Sequence, residues 1–306
     1  MNRVNQNRLI VPLMVFFLAA AMGCAGKPKV LTKEAQLAQI VREETKKLKK
    51  NPADLDAYYR RSSAYMERKE YSLGIEDLSK AIELNRENAN AYFNRALAYA
   101  ATDAFEKAIA DYSKAIELDP RDPLFYYNRG NAYLELKDYA NALADYGTVI
   151  RIKPDYAAAY VNRGIIHDEK KDRLRAVLDY TRAIELSPTS ATAYVNRGLS
   201  YFRSGRHSKA VKDFSKAIEL SPDEGAVYFY RGNAHYEDGR KGEALEDYNR
   251  AIELNPRNMD AYFYKATRFR GTLTEYEVKS ALRNFIRLAP KGDTRRMEAA
   301  RILATE

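Results

Sequence analysis

Few residues in this 306-residue chain have the types and spacing that acid–base or metal chemistry needs. There are three histidines, His167, His207 and His235. A neutral imidazole can accept a proton or ligate a metal near pH 7. His167 and His235, however, stand two periods apart in the same register of a sequence repeat. Stacked repeats would hold them much farther apart than one tetrahedral ion can bridge. Both are read as substitutes for a packed tyrosine. Asp168 and Glu169 are adjacent acids, expected to form a solvated helix edge and not a working pair. No serine or cysteine nucleophile has a base at useful spacing, and no glycine-rich phosphate loop is present. The expectation is a non-enzyme with no catalytic residue, no cofactor, no metal and no small-molecule substrate.

The charged residues have a stronger pattern than the catalytic candidates. Arginine stands at 61, 95, 129, 163, 197 and 231, and aspartate at 77, 111, 145, 179, 213 and 247. Each aspartate follows its arginine at a constant interval. One period on, both change together, to Lys265 and Ala281. Joint loss implies that the two face each other, so an arginine–carboxylate bond is expected in each of six repeats. Directly before four of the arginines lie Asn94, Asn128, Asn162 and Asn196. An amide side chain offers both a donor and an acceptor, the complement of a peptide backbone.

These residues must be carried on a repeated element. Proline recurs every 34 residues at Pro120, Pro154, Pro188, Pro222, Pro256 and Pro290, with Pro52 on the same grid and Arg86 in the vacant place. A period of this length signals stacked supersecondary units. With proline numbered 32, position 4 is tyrosine seven times, from Tyr58 to Tyr262; position 8 is Gly, Ala or Ser; position 11 is aromatic or His. Spacings of four and three place them on one face of a first helix. Positions 20, 24, 27 and 28 form a second stripe, as in Ala108, Tyr112, Ala115 and Ile116. Small residues at 8 and 20 allow close helix approach. A glycine near position 15 (Gly205, Gly239) or a polar pair separates the helices. Proline stops the second helix, and Asp54, Asn88, Asp122, Ser190 and Asn258 can cap the next first helix.

Tyr at 4, Gly or Ala at 8, Tyr at 11, Ala at 20, Tyr or Phe at 24, Ala at 27 and Pro at 32 resemble the tetratricopeptide repeat (TPR). The resemblance covers residues 53–290 in seven repeats. It implies an all-α, right-handed superhelical solenoid. The last repeat departs most, with Val278, Leu282 and Phe285 in the second-helix stripe. The family's first helices line a concave groove with positions 2, 5, 6, 9 and 12. By resemblance, Asn94, Asn128, Asn162 and Asn196 would form a ladder that grips an extended peptide. Phe93, Tyr127 and Phe229 would flank it, with Asn131 and Asn233. The lysines and arginines of a chaperone-type carboxylate clamp are missing at positions 2, 5 and 6; only Arg60 is basic there.

Residues 1–23 differ from the repeats. Arg3 and Arg8 precede a 13-residue apolar run, Leu9 to Ala21, which ends at Gly23-Cys24. The run is short for a membrane span and suits a signal peptide. The segment resembles a bacterial lipoprotein signal with Cys24, the only cysteine, as the lipidated residue. With Ala25 after it, the resemblance implies lipid anchoring at the periplasmic face of the outer membrane. Residues 24–31 are then a lipidated tether. Residues 32–52 read as an amphipathic helix with Leu37, Ile40, Val41 and Leu48 on one side. Residues 291–306 read as a capping helix bearing Met297, Ala300, Ile302 and Leu303.

The net charge is +9, but residues 53–290 carry only about +1 by count. A near-neutral repeat body lacks the clustered basic face of a nucleic-acid groove. The pattern therefore points to an adaptor that binds a protein or peptide segment and organises an envelope complex. A glycan- or peptidoglycan-binding module, favoured by the 24 tyrosines, is the alternative.

Overall fold

The computed structural model describes residues 31–305, and these are helical throughout, with no strand among them. They fall into two compact units, one ending at Pro154 and the other beginning at Asp155.

The first unit opens with α1 (Lys33–Lys50), capped by the Thr32 hydroxyl. Three helical pairs follow: α2 (Leu55–Glu67) with α3 (Tyr71–Leu84), α4 (Ala89–Ala101) with α5 (Phe105–Leu118), and α6 (Pro123–Glu135) with α7 (Tyr139–Ile152). The second unit contains four pairs: α8 (Ala157–Glu169) with α9 (Arg173–Leu186), α10 (Ala191–Arg203) with α11 (His207–Leu220), α12 (Gly225–Glu237) with α13 (Lys241–Leu254), and α14 (Met259–Arg268) with α15 (Glu275–Leu288). It closes with α16 (Arg295–Thr305).

Local chemistry sets these boundaries. Asp54, Asn88, Asp122, Ser190 and Asn258 each accept a backbone N–H of the following first turn, as the capping pattern implies. Pro123 sits in that first turn, where its missing N–H costs nothing. The turn inside six of the pairs passes through a left-handed residue, φ 59–62° at Lys69, Asp103, Lys137 and Lys171, and 72° and 83° at Gly205 and Gly239. Only glycine enters this region without steric cost, so four repeats tolerate a strained side chain to close the same turn. Every second helix stops two residues before the proline grid position.

In the four repeats with glycine at position 8, the position-24 ring packs directly against that glycine. A Cβ on Gly198 would stand 2.7 Å from Phe214, and one on Gly164 2.7 Å from Tyr180. The ring therefore occupies the volume that a side chain would need. Alanines at positions 3, 20 and 27 are sealed beside it, for example Ala91, Ala108 and Ala115. Position 10, which the periodic stripe did not single out, is buried as well, in Ala64, Ala98, Ala132, Ile166, Ser200 and Ala234.

The two flanking helices differ in part from expectation. In α1 the buried residues are Leu37, Glu44 and Leu48, so Glu44 takes a place on the apolar side. Its register is that of the ring in later repeats. In α16 the inward residues are Ala299 and Ile302, while Met297 is strongly exposed. Residues 1–30, with Cys24 and the signal-like run, lie outside the described residues.

Candidate functional site

Six ion pairs form as the register implies. Arg61–Asp77, Arg95–Asp111, Arg129–Asp145, Arg163–Asp179, Arg197–Asp213 and Arg231–Asp247 are each two-pronged, with Nε on one carboxylate oxygen and Nη2 on the other at 2.6–2.9 Å. The aspartates are buried, at 4–7% exposure. Five arginines also donate through Nη1 to a hydroxyl on the helix before: Thr45, Ser79, Ser113, Thr181 and Ser215. One guanidinium thus ties three helices. The tyrosine at position 4 lies beside each arginine at 5.5–5.9 Å from the ring centroid. All six arginine pKa values are raised above the ordinary value; in five the bond to aspartate is the largest cause, and at Arg231 burial, which lowers it, is the largest single cause but is outweighed by the bond to Asp247 and that carboxylate's charge together. The pairs carry structure, not chemistry.

His167 and His235 approach Asp179 and Asp247 at 3.8 and 3.7 Å. Burial lowers both imidazole pKa values, opposed by those aspartates. They occupy the tyrosine register, as expected. His207 lies elsewhere, edge-on to Phe202 at 5.3 Å.

The asparagines divide into two groups. Asn128 is buried and donates its amide to Leu124 O in its own helix. Asn131 accepts the Tyr146 hydroxyl at 2.7 Å, and Asn233 accepts the Tyr248 hydroxyl at 2.8 Å. Asn128, expected in the peptide-gripping row, and Asn131 and Asn233, expected to flank it, are thus each bonded within the fold. Asn94 and Asn196 are half-buried, and neither side chain makes a hydrogen bond with another described residue. Asn162 is half-buried and has an interaction within the chain.

The flanking aromatics are also more deeply packed than expected. Phe93 is buried against Tyr112 and Phe125, and Tyr127 against Tyr146. Phe229 is half-buried in a ring cluster with Tyr230, Tyr248 and Tyr264. The first two belong to the core and cannot offer an apolar subsite without repacking.

Sequence reasoning missed two polar nodes in the second unit. Asp168 is buried, not a solvated edge, although its neighbour Glu169 is exposed. Its carboxylate accepts Ser200 Oγ and Arg173 Nη1, each at 3.0 Å, and Arg203 Nη1 lies at 3.6 Å. Arg268 is the second node. It lies between the Tyr236 and Tyr264 rings, 4.3 and 4.5 Å from their centroids, and bonds Asn233, the Tyr248 hydroxyl and Glu237. Among the described residues no cluster of His, Cys, Asp and Glu suits a metal.

The comparisons agree with this architecture. Models described as TPR repeat or tetratricopeptide repeat match residues 63–103, 103–137, 123–156, 169–225, 195–259 and 231–267. The chain belongs to the tetratricopeptide repeat proteins. Among solved structures it is similar to YrrB, described as a TPR protein with an unusual peptide-binding site, at 27% identity, covering 62% of this chain and 98% of that one, TM-score 0.54. It shares its fold with the C-terminal part of a TPR repeat-containing protein from Cytophaga hutchinsonii, at 18% identity, 79% and 98% coverage and TM-score 0.65. The same holds for a tetratricopeptide repeat protein from Parabacteroides merdae, at 16% identity, 87% and 98% coverage and TM-score 0.59. A search of curated proteins returns no match.

Proposed function

We propose that this protein is a non-enzymatic adaptor whose first-helix faces bind an extended protein segment, and that it is held in the bacterial envelope by lipid on Cys24. The carrying observation is the split among the asparagines. Asn128, Asn131 and Asn233 are engaged within the fold, whereas the Asn94 and Asn196 amides are half-buried and without a hydrogen bond to another described residue. A half-buried amide gains most from a partner that both donates and accepts, and a peptide backbone does so at every residue. The similarity to YrrB, whose description includes a peptide-binding site, supports the same reading.

The glycan alternative has less support. Sugar stacking needs open ring faces. Tyr236 and Tyr264 have Arg268 between them, and the position-4 tyrosines lie beside the position-7 arginines.

Peptide-display selection on the full chain tests binding. Selected peptides should lose about fivefold in affinity for Asn94→Ala or for Asn196→Ala, each tested by itself, since a lost amide pair is worth ~1 kcal/mol. Undiminished binding by both folded variants would place recognition elsewhere. Anchoring is tested separately. Radiolabelled palmitate should enter the wild type and not Cys24→Ala, which should leave the membrane fraction.

A further inference from the structure

The seventh repeat keeps the second-helix register of its neighbours, with a first helix of 10 residues against 13, but not their ion pair. In the other six, guanidinium and carboxylate fill the space between the first and second helices. In the seventh, that register holds Lys265 and Ala281, and a cavity of about 320 Å³ opens there. Its wall includes Asn249, Tyr262, Lys265, Ser280 and Ala281. The volume would hold on the order of ten waters at liquid density.

The cavity wall reproduces the missing network in all but one element. Lys265 stands where the arginine stands elsewhere. Asn249 stands in the register of Ser79, Ser113, Thr181 and Ser215, the hydroxyls that bond that arginine. Tyr262 supplies the position-4 ring. Only the carboxylate is missing, because Ala281 replaces aspartate. Among the described residues no carboxylate lies within 4.0 Å of Lys265 Nζ. The two acids on the wall are engaged elsewhere. Glu277 Oε2 accepts both the Thr274 N–H and its hydroxyl, at 2.9 and 2.7 Å, and Glu253 pairs with Arg250 at 2.9 Å. Lys265 is half-buried, and its charge helps to lower the Glu277 pKa, but no carboxylate bonds it.

The geometry points to this cavity as a binding site for a carboxylate supplied by a partner chain, either an aspartate or glutamate side chain or a free C-terminus. The incoming group takes the position that Asp247 fills one repeat earlier. The Lys265 ammonium is its counter-charge, and Asn249 and Ser280 are neutral donors beside it. Charge-assisted bonds of this kind are about twice as strong as neutral ones. The site uses positions 7, 23 and 25, apart from the first-helix faces of the preceding section, and does not depend on that reading.

Ile252 also lines the cavity and is unchanged in every variant below, so its methyl group is the reporter. The full chain, methyl-labelled at isoleucine and held in detergent micelles, is titrated with three probes: N-acetyl-aspartate-N-methylamide, N-acetylalanine, and N-acetyl-asparagine-N-methylamide. At least one of the two carboxylates should shift the Ile252 methyl signal saturably, while the amide should not. Which acid saturates first separates a side chain from a chain end. Lys265→Gln should raise the concentration needed by roughly tenfold, since a hydrogen bond to a charged group contributes ~1.5–3 kcal/mol. Ala281→Asp supplies the carboxylate from within and should abolish the response with helicity intact; if it fails to fold, Lys265→Gln carries the test alone. A silent Ile252 with both acids, an equal response to the amide, or an undiminished response in Lys265→Gln would overturn the proposal.

Discussion

The third and seventh repeats solve the same packing problem with different chemistry. In the third, Arg129 bonds Asp145 on the second helix and Ser113 on the helix before, and Tyr146 packs directly against Gly130. In the seventh, the ion pair is gone and apolar bulk takes over. Leu282, Phe285 and Val278 are fully buried, packed with Phe263 and with Ala299 and Ile302 of α16. Arg295 lies 5.3 Å from both the Phe263 and Phe285 rings, and it bonds Asp260 and Asp293. The comparison shows that the helical pair does not require the arginine–aspartate bond. In the third repeat the three-helix guanidinium tie registers the pair against the helix before it. In the seventh, α16 covers the pair, and hydrophobic burial, which is less directional, is enough.

The most severe way to break this contrast is to remove one charge from an internal pair. Asp145→Ala leaves Arg129 with its charge largely buried and only Ser113 as a polar partner. The expected loss is ~3–5 kcal/mol of unfolding free energy. Lys265→Ala, in the register of that arginine, removes no ion pair and should cost less than about 1 kcal/mol. Urea unfolding followed by circular dichroism measures both. Equal costs would mean that the internal pairs are as weak as exposed ones.

The next test is steric. Gly198→Val would drive a branched side chain into Phe214, and overpacking of this kind costs about 1–3 kcal/mol. The same change at Gly147, where an added Cβ meets nothing within 4 Å, should cost only the helix-propensity difference and be close to neutral. The second repeat sets the limit of the argument. It has Ala96 opposite Tyr112, both buried, so a ring can yield to one methyl group when the pair is built for it.

How much of this was legible in advance depends on whether the needed partner lies within one repeat. The helices, their caps and the six ion pairs were readable because each is a fixed interval inside a 34-residue register. Asp168 was not, because Ser200 and Arg203, which help to hold it, belong to the next repeat. Nothing in the order Asp168-Glu169 announces them. The bond that Asn128 makes within its own helix was not legible for another reason. An amide on a helix can turn back to the carbonyl four residues earlier, and that choice leaves no mark in residue type. Phe93 and Tyr127 were placed on the right helix, but their burial depends on Phe125 and Tyr146 on neighbouring positions. The cavity at Lys265 was half-visible. The joint loss of arginine and aspartate could be read, but the space left behind needs coordinates.

Rebuilding the lost pair sharpens the same comparison. Lys265→Arg with Ala281→Asp installs the internal chemistry in the terminal repeat. The wall there is partly open to solvent, so the gain should be no more than about 1 kcal/mol. Hydrogen exchange of the α14 and α15 amides would show it as slower local opening, with the earlier repeats unaffected. Faster exchange would mean that desolvating the new carboxylate costs more than the bond returns.

The smallest effect has a fixed sign. His167 and His235 stand in the position-11 register of two internal repeats, and Phe269 stands there in the seventh. Burial lowers both imidazole pKa values in the fold. Asp179, Asp172, Arg163 and Arg175 act on the first, and Asp247, Arg240, Arg231 and Glu243 on the second. In the unfolded chain the value is ~6.5. Below that pH the unfolded state binds more protons than the folded state, so stability falls as pH drops through 6.5 toward the lower folded value. Above 6.5 these residues contribute no pH dependence. His167→Tyr/His235→Tyr restores the majority residue and should flatten the stability profile between about pH 7.5 and 5.5, measured against wild type by urea unfolding at each pH. A wild-type profile that rises on acidification relative to the double variant would mean that Asp179 and Asp247 hold the imidazoles protonated, and would reverse the assigned cause.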